Sequence, residues 1–135
     1  MTNFKRVLST VAIALVVAGG IVSTTAASAP AALFHTSLKK SWPANHETVT
    51  APAAIKLWFS EAVELPIVNV KLAMADGSMP VTLGKLVRAD TSAASVSAPI
   101  TGMLHAGKYT AQWSVASKDG HPATGKFEFV VTPAK

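Results

Sequence analysis

Few side chains in this 135-residue sequence can do chemistry, and the absence of cysteine narrows them further. Without a thiol there is no disulfide framework, no thiolate zinc site, no iron–sulfur ligation and no cysteine nucleophile. Reactivity falls to the carboxylates, hydroxyls, methionines and the four histidines His35, His46, His105 and His121. His121 is the one with a partner beside it in the chain, in Asp119-Gly120-His121-Pro122. Residues two apart on an extended strand project to one face, so a carboxylate oxygen and an imidazole nitrogen can converge on one ion there. Pro122 pushes His121 towards the extended region. The competing reading is a turn at Asp119-Gly120 with His121 on its shoulder. His35 precedes the first strand-like segment. In a β-sandwich it can lie at the same end as the loop before the last strand, where it would meet Asp119 and His121. Two imidazoles and a carboxylate, with an amine if His35 begins the mature chain, form a sulfur-free donor set suited to tetragonal Cu(II) or tetrahedral Zn(II). His46, in the loop after Pro43, and His105, in a turn before Tyr109, are expected to be solvated.

Other chemistry does not assemble. Ser117, Lys118 and Asp119 near His121 have the residue types of a hydrolase, but no Gly-x-Ser-x-Gly elbow is present. Glu61 and Glu64, three apart after a strand-like segment, read as a solvated turn and not as a glycosidase pair. No glycine-rich phosphate loop occurs. Met74, Met79 and Met103 are scattered, which leaves soft Cu(I) without a thioether cluster.

The elements that must position these residues read as strands. Apolar residues alternate in short runs punctuated by Gly, Pro, Asp and Ser. Ile55, Leu57 and Phe59 share one face of 54–60. Val68, Val70, Leu72 and Met74 share one face of 67–74, and Asp76-Gly77 then signals a tight turn into a return strand over 81–87. A weak strand covers 94–98. Tyr109, Ala111, Trp113 and Val115 share a face, as do Phe127, Phe129 and Val131. About seven short strands predict an all-β, Greek-key β-sandwich of immunoglobulin-like or cupredoxin-like type. The run Leu104-His105-Ala106-Gly107-Lys108-Tyr109, with Trp113 beyond it, has the spacing of a tyrosine corner, which assigns Tyr109 to the corner and Trp113 to the core.

The first 29 residues are expected to be a signal peptide: Lys5 and Arg6, then a twelve-residue apolar run from Val11 to Val22, then small residues. Twelve residues fall well short of the ~20 needed to span a bilayer as a helix. Cleavage is expected after Ala27 or Ala29, leaving one domain over 30–135. Ten basic and seven acidic residues remain in it, a net +3 carried by scattered lysines, which gives nucleic-acid binding little support. Both cuts fall ahead of His35, which then offers its ring but no terminal amine.

Three stretches carry a family resemblance: His35-Thr36-Ser37-Leu38-Lys39-Lys40-Ser41-Trp42-Pro43-Ala44; Ala51-Pro52 with Ile55, Leu57, Phe59-Ser60-Glu61 and Val63; and Tyr109, Trp113, Val115, Ser117, Asp119-Gly120-His121-Pro122 and Gly125. In this order and spacing the chain resembles the CopC family of periplasmic copper-binding proteins. The resemblance implies a Greek-key β-sandwich, a Cu(II) site at His35, Asp119 and His121, a periplasmic location and an inner-membrane copper transporter as a partner. It is closest to members with a Cu(II) site alone. The expectation is an exported protein that sequesters or delivers Cu(II) in copper homeostasis or resistance, without turnover. The rivals are an immunoglobulin-like interaction module that binds no metal, and an oxidative copper enzyme, for which no substrate face is specified.

Overall fold

The computed structural model describes residues 35–116 and 120–133. Eight strands build it: β1 (Leu38–Trp42), β2 (Thr48–Thr50), β3 (Ala54–Phe59), β4 (Asn69–Met74), β5 (Pro80–Val81), β6 (Ser95–Pro99), β7 (Gly107–Ala116) and β8 (Pro122–Thr132), with one 3-10 turn at Leu65–Ile67. They form two sheets, one ordered β1-β3-β6 and the other β2-β8-β7-β4-β5. Pairing is antiparallel except between β2 and β8. This is the expected immunoglobulin-like β-sandwich.

The inward faces are those the alternation predicts. Ile55, Leu57 and Phe59 from one sheet meet Leu72, Tyr109, Ala111, Trp113, Val115, Phe127, Phe129 and Val131 from the other, all buried. The tight turn also forms: the Gly77 N–H donates to the Met74 carbonyl at 2.8 Å, and Gly77 takes the left-handed φ of 76° that glycine tolerates best. At the predicted tyrosine corner the Tyr109 hydroxyl accepts from the His105 N–H at 2.9 Å and donates to the His105 carbonyl at 3.0 Å. Tyr109 is buried, so its hydroxyl needs those partners.

The return strand over 81–87 is shorter than expected. Only Pro80–Val81 pairs with β4. The chain then crosses to the other sheet, where Leu83 bridges Ile100 and Val87 bridges Ser97. Its hydrogen bonds go with it: Gly84 N–H to the Pro99 carbonyl at 2.7 Å, Val87 N–H to the Ser97 carbonyl at 3.0 Å. Arg88 locks the crossing by donating to the carbonyls of Val63, Ala93 and Ser95. This cover explains the weak alternation of β6, in which Ser95, Val96, Ser97 and Ala98 are all buried.

Candidate metal centre

The two ends of the described chain segments that matter meet at one end of the sandwich. Residues 35–37 are hooked onto the end of β3, where the Ser60 N–H donates to the Ser37 carbonyl at 2.8 Å and the Ser37 N–H donates to the Ser60 hydroxyl at 3.0 Å. Thr36 is buried beneath this hook while His35 stands exposed. His121 is also exposed, just before β8, whose first residue Pro122 pairs with Ala116 at the end of β7. The rings of His35 and His121 lie 6.5 Å apart between centroids, edge to face at 88°.

That spacing is informative. With metal–nitrogen bonds of about 2.0 Å, two imidazoles on opposite sides of one ion have centroids ~6.2 Å apart, and at a tetrahedral angle ~5 Å apart. The observed spacing leaves room for one ion between the two rings.

Asp119, the third member of the expected set, lies outside the described residues, as do Ser117 and Lys118. Among the described residues no group of three His, Asp or Glu side chains gathers. Gly120 has a left-handed φ of 82°, so the chain is not extended at that residue. His121 follows it at the mouth of β8.

The remaining histidines are exposed and remote. His105 lies two residues before β7, whose ten residues separate it from the His121 end by ~30 Å of strand. The His46 N–H donates at 2.6 Å to the Glu128 carbonyl, well along β8 from His121. Glu61, next to the Ser60 that pairs with Ser37, is partly buried and not the fully solvated turn residue expected, but among the described residues it does not group with the two histidines. The floor under this end is apolar: Trp113 packs edge to face on Phe59 at 5.3 Å, and its indole lies across Gly125, its cross-strand neighbour in β8.

The family model of the CopC domain matches residues 38–132. The chain is 33% identical over 111 residues to protein YobA of Escherichia coli K12, covering 82% of this chain and 89% of that one. It is 32% identical over 121 residues to copper resistance protein C of Escherichia coli, covering 86% and 94%. The crystal structure of PcoC, a methionine-rich copper resistance protein from Escherichia coli, superposes with a TM-score of 0.63 at 33% identity, covering 73% of this chain and 99% of that one. A family match spanning nearly all of the β-sandwich, with relatives above 30% identity over most of both chains, places this protein in the CopC family.

Proposed function

We propose that this chain is an exported copper-resistance protein that binds Cu(II) at His35, Asp119 and His121 and sequesters or delivers it in the periplasm, without turnover. The observation that carries the reading is the convergence of His35 and His121, from opposite ends of the domain, to a ring spacing of 6.5 Å on an exposed edge. Two exposed imidazoles brought together from distant segments can share one ligand. The donors are nitrogen and oxygen, which suits Cu(II), and among the described residues no sulfur of the kind Cu(I) favours is clustered with them. Copper resistance in the named relative supports the same cargo. The basic, apolar and small-residue segments of 1–29 supply the export signal, and an inner-membrane copper transporter is the natural acceptor for a delivered ion. Exposure of both rings leaves the ion open to transfer.

The test is Cu(II) titration of the exported protein and its variants against a competing chelator. His121→Ala and Asp119→Ala are each expected to weaken Cu(II) binding by at least ~10-fold with the fold intact, because each removes a ligand from a loop and not a core side chain. His46→Ala is expected to change nothing. Equal binding by the His46 and His121 variants would sink the assignment.

A further inference from the structure

The outer face of the β1-β3-β6 sheet carries an arrangement that copper binding does not use. Across β1 and β3, Lys40 pairs with Trp58 and Trp42 with Lys56, so two lysines and two tryptophans alternate like a checkerboard. The Lys40 ammonium stands 5.0 Å from the centre of the Trp58 ring, and the Lys56 ammonium 5.7 Å from that of Trp42. The Trp42 row continues through Ser97, opposite Lys56, to Val87, opposite Ser97. Trp42 and Val87 are 37% and 46% exposed. Among the described residues the carboxylate bonded into the face is Asp90, which accepts from the Trp58 indole N–H at 2.7 Å. Lys39 adds a further exposed cation on the edge strand.

We propose that this face docks on an anionic phospholipid surface. Each indole has an ammonium over its π-face, so the rings are poorly placed to stack on a sugar or another aromatic. What the face offers is aromatic surface beside a cation. An anionic bilayer supplies both complements in one plane: phosphates for the ammonium groups, and the interfacial zone in which tryptophan settles. The surplus of lysine over carboxylate on the face fixes the sign of the partner.

The experiment is co-sedimentation of the protein, as the cell exports it, with large vesicles of mixed phosphatidylglycerol and phosphatidylcholine. Binding is expected at low salt, with a blue shift of tryptophan emission, and is expected to vanish on pure phosphatidylcholine. Lys40→Gln with Lys56→Gln is expected to weaken binding ~25-fold, at ~5-fold per lysine near such a surface. Lys40→Arg with Lys56→Arg is expected to retain it, which guards against a folding artefact. Lys71→Gln with Lys126→Gln removes the same charge from the outer face of the other sheet and is expected to have little effect. Equal loss in the two glutamine pairs would reduce the effect to net charge and overturn the proposal. So would binding to polyglutamate without binding to vesicles, which would assign the face to an acidic protein, or lysine-dependent dimerisation in place of vesicle binding, which would assign it to a second copy of this chain.

Discussion

Alanine at position 125 tests how β8, the strand that His121 opens, is seated on the core. A β-carbon on Gly125 would lie 2.5 Å from Cζ2, 2.7 Å from Cε2 and 2.9 Å from Nε1 of Trp113. Carbon atoms rest at about 3.5–4.0 Å, so either the rigid indole retreats by ~1 Å or β8 bows outward. Retreat is resisted because the ring already abuts Phe59 at 5.3 Å. Overpacking of this kind costs ~1–3 kcal/mol, and a clash with a rigid buried ring belongs at the upper end. About 3 kcal/mol in a domain of this size lowers Tm by roughly 10–20 °C. Urea unfolding followed by circular dichroism is expected to show a lower midpoint with an unchanged slope. Trp113→Phe removes the clashing atoms, so the double variant is expected to lose at least ~1 kcal/mol less than the two single penalties added. An unfolding midpoint for Gly125→Ala equal to that of the parent, or strict additivity with Trp113→Phe, would refute the steric argument.

Tyr109→Phe strips two hydrogen bonds from the backbone of His105 and is expected to cost about 2 kcal/mol in chemical denaturation, whereas His105→Ala, which keeps those backbone groups, is expected to cost little. The Trp58 indole N–H, and then the Ser92 N–H, hold the Asp90 carboxyl below its ordinary pKa. A lowered folded pKa gives stability that is complete above the ordinary carboxylate range and is lost as pH falls through the lowered value. Asp90→Asn is therefore expected to flatten the acid limb of a stability–pH profile and leave its neutral-to-alkaline shape unchanged. Acetylating the amine of the exported protein is expected to leave Cu(II) affinity unchanged, because processing ahead of His35 leaves that residue only its ring. A strong effect in isothermal titration would mean that trimming exposes the His35 amine, or, if Asp119→Ala still binds one copper, that the chain starts at Leu33 and wraps the ion with its own amides.

The sequence by itself determined the sandwich, because period-two burial is a local property. Ile55, Leu57 and Phe59, or Phe127, Phe129 and Val131, fall on one face of any strand they form, and the sheets assembled with those faces inward. The tyrosine corner was legible for the same reason, since donor and acceptor are four residues apart. Other features were settled only when distant segments met. The segment after Val81 has strand character but exchanges partners, leaving β4 for β6, and no local pattern encodes which edge is vacant. In β6, Ser95 and Ser97 are polar yet buried, because the crossing segment and the Arg88 guanidinium cover and satisfy the strand. β1 and β2 escaped the sequence reading, one masked by a bulge and a lysine pair, the other by its three-residue length. For the candidate site, the sequence supplied the residue types, and the hydrogen bonds between Ser37 and Ser60 supplied the place. Those bonds join segments far apart in the chain and hold the His35 segment at the His121 end, and the closure of such a loop is decided by the whole core and not by the residues at its ends.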